Sequence, residues 1–288
     1  MVVTDVNDHV ALRDYLRGQM STQRDQYTHG HHESVLRSHQ WRTAQNSAGF
    51  LLAHLKPGDD VLDVGCGPGT ISADLARLVD PGHVRGIDIS SDVIDIARST
   101  HEDLGLANLS FAVDDVYALS SPDASFDVVF AHQVLQHLSD PIAALGEMRR
   151  VLRDEGILAV RDADFAAFAW SPTSEYLERW MQLYHQVTRA NNAQADAGRH
   201  LPGWLRAAGF RSLEVSSSNW TYYSEAERRW WGELWAQRVL HSSFASQALA
   251  YGFTTEDELR EISRAFEAWA DDEDGVFIVV NGEVLARR

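Results

Sequence analysis

The sequence is poor in lysine and in cysteine. Lys56 is the single lysine among its 25 basic residues, and Cys66 is its single cysteine. One cysteine excludes an intrachain disulfide and a cysteine-rich zinc site. No apolar run approaches the roughly 18 residues that a membrane-spanning helix needs, and the polar N-terminus is unlike a signal peptide. We therefore expect a cytoplasmic protein that does not bind membranes.

Positive charge is also scarce. The chain has 42 acidic residues against 25 basic ones, a formal charge of −17 and a pI of about 5.1. A strongly acidic surface repels phosphate backbones, which argues against a nucleic-acid partner. With 288 residues, 44% of them hydrophobic, the chain can form one large domain or one domain with an inserted lid.

Apolar strands and amphipathic helices alternate through the middle of the chain. Strands are predicted at 60–64, 83–88, 109–113, 126–131 and 156–162, and helices at 70–80, 91–104 and 140–152. This alternation predicts a parallel sheet built of strand–helix–strand units. A helix over 34–55 is expected to precede the sheet, and Ser91 is the predicted N-cap of the second helix in the alternation.

The pattern changes after residue 162. No clear strand is predicted over 163–200, one helix–strand pair follows over 202–217, and 224–270 is expected to be helical. The segment GVFIVVNGEVLA, residues 275–286, is apolar around an Asn-Gly pair, which is a hairpin signal. Eight of the nine tryptophans lie at or beyond Trp170. They are expected to pack helices onto the sheet or to line an apolar cavity.

A glycine-rich segment, VLDVGCGPGT, joins the first strand to the first helix of the alternation, where open α/β sheets bind ligands. Gly65, Gly67 and Gly69 let a ligand approach the backbone closely. Asp88 ends the second strand 19 residues after Gly69, where a carboxylate can accept both ribose hydroxyls. These features fit a nicotinamide nucleotide as well as S-adenosylmethionine (SAM).

Four features favour SAM. Asp63 places a negative charge beside the loop, which suits an ammonium or sulfonium better than a pyrophosphate. Pro68 reshapes the turn, and the Asp114–Asp115 pair ends the third strand, where a side chain can accept from an adenine amino group. A Tyr-x-x-x-Lys dehydrogenase motif is excluded, because Lys56 precedes the first strand.

Several successive motifs carry a family resemblance. VLDVGCGPGTISADLA, GIDIS, DDVYALSSPDASFDVVFAHQVLQHLSDP and RRVLRDEGILAV, in this order within 55–162, resemble class I SAM-dependent methyltransferases of the UbiE, or type-11, group. The resemblance implies an α/β, Rossmann-like sheet of seven strands with an antiparallel final strand. It divides the chain into a helical cap (1–56), a SAM-binding core (57–162), a helical lid insertion (163–200) and a C-terminal part of the core with a helical insertion (201–288).

The same resemblance implies cofactor contacts at the strand ends. Glycines of the loop face the methionine part of SAM, Asp88 takes the ribose, Ile89 packs on the adenine, and residues after the third and fourth strands hold the adenine edge and the methionine end. With Asp63, the predicted set is Gly65, Gly67, Asp88, Ile89, Asp115, Val116, His132 and Gln133.

The stretch YTHGHHESVLRSHQWR, residues 27–42, holds four histidines between His29 and His39. In the family this segment covers the SAM pocket, so the histidines are expected to line the pocket or to serve structure. Only Glu33 stands near as a further metal ligand, and we predict that no metal is bound. Tyr27 and His31 are the predicted pocket contacts. Arg42 is expected to pair with the methionine carboxylate or to form an ion pair on a helix surface.

This stretch, continued to the glycine loop, also resembles enzymes that S-methylate reduced dithiols of the gliotoxin and dithiolopyrrolone type. The resemblance implies a small dithiol substrate. Separately, we expect the enzyme to be a monomer or a homodimer. O-, N- or C-methylation of another metabolite and SAM binding without catalysis remain alternatives. The predicted catalytic residues are His132, Asp162 and His31, with His137 as a further candidate base.

Overall fold

The computed structural model describes residues 25–28 and 38–288. Within this range the strands are β1 (Val61–Val64), β2 (Val84–Asp88), β3 (Leu109–Val113), β4 (Phe126–His132), β5 (Leu152–Ala163), β6 (Ala169–Ser171), β7 (Ser212–Tyr222) and β8 (Val276–Arg287). The helices are α1 (Ala44–Ser47), α2 (Gly49–Leu52), α3 (Thr70–Val79), α4 (Ser91–His101), α5 (Pro141–Val151), α6 (Glu175–Ala190), α7 (Ala197–Ala207), α8 (Glu225–His241), α9 (Ser243–Ala250) and α10 (Glu256–Asp271).

The strands form one sheet in the order β3-β2-β1-β4-β5-β8, with β7 on the other edge of β8. Strands β1 to β5 are parallel, and β8 runs antiparallel to β5 and to β7. This arrangement confirms the Rossmann-like α/β fold with an antiparallel final strand. The short strand β6, absent from the prediction, pairs with the first residues of β8. The predicted division at 200/201 falls inside α7.

Local side-chain bonds set several helix ends differently from the prediction. The α4 helix is capped by Ser90 and not by Ser91, because the Ser90 hydroxyl accepts from the Val93 N–H at 3.4 Å. The single helix expected over 34–55 is wrong within the described residues. A capping box between Thr43 and Asn46 starts the short helix α1 at Ala44. The next helix, α2, begins separately at Gly49, so the expected helix is divided.

The Asn-Gly pair does not form a hairpin, because Asn281 and Gly282 lie in the middle of the continuous strand β8. A Cβ on Gly282 would lie 2.3 Å from the carbonyl oxygen of Gly198 in α7. The Asn281 side chain is fully buried. Position 282 requires glycine because helix α7 packs closely against the strand there. This tertiary contact outweighs the local preference of the Asn-Gly pair for a turn.

Gly198→Ala should therefore destabilise the protein by about 1–3 kcal/mol, because a Cβ there would meet the Gly282 nitrogen at 2.8 Å. Gly203→Ala, in the same helix, is the matched control, since a Cβ at Gly203 meets nothing within 4 Å. It should be neutral or stabilising by about 0.5–1 kcal/mol. Urea denaturation measures both, and equal effects of the two changes would contradict the packing argument.

The largest buried cluster lies between the β6–β8 end of the sheet and helices α6, α8 and α10. It contains fully buried aromatic side chains, among them Trp180, Trp235, Phe266 and Phe277. The rings of Trp180 and Trp235 meet edge to face with centroids 4.5 Å apart. Part of the tryptophan enrichment thus serves the core. In the described part of the chain, no helix is long and apolar enough to cross a membrane.

Candidate active site

A cavity of about 1580 Å³ opens at the carboxyl ends of β1, β2 and β4. Its wall continues from the glycine loop to an aromatic surface contributed by β7 and α8. The carboxyl ends of parallel strands are where open α/β sheets bind ligands. The cavity therefore has two parts: a loop-lined part at the strand ends and an aromatic part beside it.

The glycine loop is shaped for close approach of a ligand. Gly65 and Gly67 have φ angles of 68° and 55°, which disfavour residues with a side chain. A Cβ on Gly65 would lie 2.4 Å from a methyl group of Val134. A Cβ on Gly67 would point toward the space beside His39, whose Nδ1 lies 3.7 Å away. Side chains at these positions would reduce the room that the loop leaves for a cofactor.

Asp88 ties the loop to the end of β2. Its Oδ2 accepts from the Gly67 N–H at 3.3 Å, and its Oδ1 accepts from the Ser90 N–H at 3.0 Å. The carboxylate lines the cavity and is fixed from both sides. Beside it, Ile89 is 61% exposed, which is unusual for isoleucine and leaves an apolar surface for a flat ring.

The two acidic residues after β3, Asp114 and Asp115, have different contacts. Asp114 accepts from the Asp115 N–H and from both the N–H and the hydroxyl of Ser120, so it holds the turn together. Asp115 accepts from the Tyr117 N–H at 2.9 Å through one oxygen. Asp115 and Val116 both line the cavity, next to the apolar surface of Ile89.

Asp63 lies under the loop with 2% of its surface exposed. Burial raises the pKa of its carboxyl to about 7, against the effect of a hydrogen bond from Ser72, and the charge of Asp88 adds to the rise. The Ser72 hydroxyl donates to Oδ2 at 2.5 Å. A cationic group bound at this end of the cavity would draw Asp63 into its charged form.

Arg42 reaches the cavity and not a helix surface. Its NH2 group donates to Oε1 of Gln133 at 2.5 Å, and its Nε is buried without a hydrogen-bond partner among the described residues. Burial lowers the pKa of the guanidinium to about 10. Gln133 itself has a left-handed backbone, with φ of 54°. A buried donor without a partner marks a place for a ligand acceptor.

His132, at the end of β4, faces a guanidinium. Nδ1 of His132 lies 3.5 Å from NH1 of Arg161, whose charge is balanced by Glu283 at 3.1 Å. Burial, then the charges of Arg42 and Arg161, hold the pKa of His132 well below its usual range. Because a cation faces Nδ1, the neutral ring keeps its proton on Nε2.

This tautomer decides what His132 can do. Nε2 is buried and has no hydrogen-bond partner among the described residues, and His132 lines the cavity. An Nε2–H group donates a hydrogen bond, whereas a general base must accept a proton. Geometry therefore favours His132 as a donor to an electron-rich acceptor atom and not as the base.

Asp162 does not reach the cavity. It is fully buried, its Oδ1 accepts from the Gln136 N–H at 3.1 Å, and burial raises the pKa of the carboxyl to about 7. Asp162 thus anchors the short turn 135–137 through Oδ1, while its Oδ2 is buried without a hydrogen-bond partner among the described residues. Asp162 is not among the residues that line the cavity, and its predicted catalytic role stays a prediction.

Two further candidates come from the histidine-rich stretch and the turn. Tyr27 lines the cavity and meets the ring of His137 edge to face, with centroids 4.7 Å apart. Burial lowers the pKa of His137 to about 3, so it is a poor base. His31, like His29 and His32, lies outside the described residues, and its predicted catalytic role stays a prediction.

The aromatic part of the cavity was not assigned residue by residue from the sequence. Its aromatic side chains are Trp41, Phe165, Phe168, Trp220, Tyr222, Trp230, Trp231 and Trp235. Arg238 lies over the Trp235 ring at 4.7 Å, and Arg161 lies over Trp220 at 4.5 Å. The tryptophan enrichment after residue 169 was the signal for this wall, but it did not separate wall residues from core residues.

Over residues 25–28 and 38–288, no group of three or more histidine, cysteine, aspartate or glutamate side chains could hold a metal ion. His39 instead contributes to the cavity wall.

Known proteins resemble the chain over most of its length. Residues 55–227 match the family described as methyltransferase domain. A protein of Schizosaccharomyces pombe named as an uncharacterized methyltransferase is 32% identical, over 93% of this chain and 99% of its own. Probable methyltransferase ltbC of Aspergillus luteorubrus is 29% identical over 92% and 98%. An O-methyltransferase of Pyrenophora dematioidea is 35% identical over 55% and 56%.

Solved structures share the fold at low sequence identity. YcgJ of Bacillus subtilis has a TM-score of 0.56 at 16% identity, over 90% of this chain and 99% of its own. Phosphoethanolamine N-methyltransferase 2 of Haemonchus contortus, solved with S-adenosylhomocysteine, has a TM-score of 0.52 at 16% identity, over 81% and 49%. The chain therefore belongs to the methyltransferase domain family and has the SAM-dependent methyltransferase fold that its sequence predicted.

Proposed function

We propose that the enzyme transfers the methyl group of SAM to a thiol of a small, largely apolar, reduced dithiol. The thiolate sulfur attacks the methyl carbon, a new carbon–sulfur bond forms, and the bond from the methyl group to the sulfonium breaks. The products are a thioether and S-adenosylhomocysteine, and the thiol proton passes to solvent. The observation that carries the proposal is an aromatic cavity with buried arginines, in which none of the described residues is a well-placed base.

The residues present fit the cofactor. The loop at Gly65 and Gly67 would hold the methionine part, with Asp63 beside its ammonium and Arg42 beside its carboxylate. Asp88 would accept from the ribose hydroxyls. Ile89, Asp115 and Val116 would hold the adenine.

Charge in the aromatic part supports an acidic acceptor. Arg238, over the ring of Trp235, is a cavity residue in which burial lowers the pKa of the guanidinium to about 10. Buried cations with depressed pKa values gain from a nearby anion and repel another cation. A protonated amine is therefore disfavoured as substrate. A thiolate or a phenolate gains from the same field.

No strong base faces the cavity from residues 25–28 and 38–288, which favours sulfur over oxygen. The contact of His132 with Arg161 supports a donor role for its Nε2, and a thiol with a reference pKa of about 8.5 ionises more readily than a phenol at about 10. Alignment of acceptor and methyl group alone can contribute about 7–11 kcal/mol. Oxygen is the second candidate, because the Pyrenophora relative is named an O-methyltransferase.

Matched acceptors test the proposal. The enzyme is incubated with SAM and a reduced dithiolopyrrolone or epidithiodioxopiperazine, a catechol or a primary amine, and products are identified by mass spectrometry. We expect methyl groups on sulfur, with a rate that rises as pH approaches the pKa of the thiol. Efficient methylation of the catechol or amine without any methyl on sulfur would contradict the proposal.

A further inference from the structure

A buried amide links the last strand to the cofactor end of the cavity. Asn281 lies in β8 with its side chain fully buried. Its Nδ2 donates to the Val279 carbonyl oxygen at 3.3 Å, and its Oδ1 accepts from Nε2 of Gln133 at 3.2 Å. Gln133 then accepts from Arg42 through Oε1 at 2.5 Å. Three residues from distant parts of the chain thus form one line of hydrogen bonds.

The donors and acceptors along this line determine which way the side-chain amide of Gln133 is oriented. Nδ2 of Asn281 is used by the backbone, so only Oδ1 faces Gln133. An amide has a donor end and an acceptor end, and a flipped Gln133 would set its oxygen against Oδ1 and its NH2 group against the guanidinium. Asn281 thereby selects the orientation that presents an oxygen to Arg42.

The backbone of Gln133 is part of the arrangement. Its φ of 54° is uncommon for a residue with a side chain. Its N–H donates to the Arg161 carbonyl oxygen at 2.7 Å, which helps to hold this conformation. Unusual backbone conformations that the surroundings maintain cluster at functional sites.

We infer that Asn281 and Gln133 are positioning residues, which hold the Arg42 guanidinium for the carboxylate of the cofactor. This inference rests on the cofactor placement in the proposed function, but not on the identity of the acceptor. Neither residue needs to touch the reacting atoms. Their effect should be limited to ligands that carry the amino-acid part of SAM.

Calorimetry with two ligands tests this. S-adenosylhomocysteine carries the carboxylate, whereas 5′-methylthioadenosine has the adenosine and the sulfur but lacks the amino-acid part. Asn281→Leu should weaken S-adenosylhomocysteine binding about tenfold and leave methylthioadenosine binding nearly unchanged. Gln133→Asn, which tolerates a left-handed backbone but is one methylene shorter, should do the same.

The double variant should bind S-adenosylhomocysteine no more weakly than either single variant, because each breaks the same line. Asn219→Leu is the control: Asn219 lies on β7 opposite Val280 and outside the line. Equal losses for both ligands, additive effects, or unchanged S-adenosylhomocysteine affinity would overturn the inference. Failure of the unaltered enzyme to bind S-adenosylhomocysteine would instead overturn the proposed cofactor placement.

Discussion

Asp88→Ala should weaken binding of S-adenosylhomocysteine by about ten- to a hundredfold, because hydrogen bonds to a charged group contribute about 1.5–3 kcal/mol. The carboxylate lines the cavity and is already held by the N–H groups of Gly67 and Ser90. Its loss therefore removes the proposed ribose acceptor and also the hydrogen bond that ties the glycine loop to β2. Isothermal titration calorimetry measures the change.

Two controls distinguish a direct contact between Asp88 and the ribose from a general effect of removing a negative charge. Asp92→Ala removes a carboxylate four residues later, in the exposed first turn of α4, and should leave the affinity nearly unchanged. A 2′-deoxy analogue of S-adenosylhomocysteine should lose less affinity on going to the Asp88 variant than the parent ligand does. Unchanged affinity in Asp88→Ala, or an equal loss in Asp92→Ala, would contradict the ribose assignment.

The loop-lined part of the cavity was predictable because it depends on short-range order. A strand, a glycine loop and a helix bring Gly65 and Gly67 to the sheet edge, and the next strand brings Asp88 beside them. Both placements follow from the regular geometry of strand–loop–helix units in parallel sheets. The structure adds the hydrogen bond between Gly67 and Asp88, but it does not change the positions.

The aromatic part of the cavity and the contacts of Asn281 depend on tertiary structure that no local pattern encodes. Asn281 and Gly282 carry a strong turn signal, and only the approach of Gly198 and the amide of Gln133 explain them as strand residues. Arg238 gave no signal at all, since an arginine in a helix is ordinarily exposed. The tryptophans indicated an apolar surface without showing which of them would line it.

Asp162 shows that position at a strand end does not decide what a side chain contacts. An acidic residue at a strand end is a natural candidate for catalysis, but here the N–H group of Gln136 occupies one oxygen. The sequence predicted that Asp162 lies at a strand end. It did not predict that the turn after β4 would donate a hydrogen bond to this carboxylate. Hydrogen bonds across strand ends are formed in three dimensions, and one sequence does not reveal them.

Asp63 should make the stability of the protein fall as the pH rises toward neutrality. Its carboxyl has a pKa of about 7 in the folded protein, because burial disfavours the charged form, and about 3.9 in an unfolded chain. The folded state therefore holds more protons than the unfolded state between these values. Stability from this group is fully present below about pH 4 and is lost as the pH rises through about 7.

Asp63→Asn keeps the size of the side chain and removes the titration. The free energy of unfolding of the unaltered protein should drop between pH 5 and pH 8 by about 2–3 kcal/mol more than that of the variant. Other titrating groups, Asp162 among them, remain in both proteins and cancel in the comparison. Asp95→Asn, at a carboxylate that is 74% exposed, should behave like the unaltered protein.

Urea denaturation at the two pH values measures these differences. Parallel pH dependence in the unaltered protein and in Asp63→Asn would show that Asp63 does not titrate in this range. Ligand binding should also change the protonation of Asp63, because the cofactor ammonium proposed beside it favours the charged carboxylate. S-adenosylhomocysteine should therefore release protons on binding near pH 6.5 in the unaltered protein and fewer in Asp63→Asn, which calorimetry in buffers of different ionisation enthalpy detects.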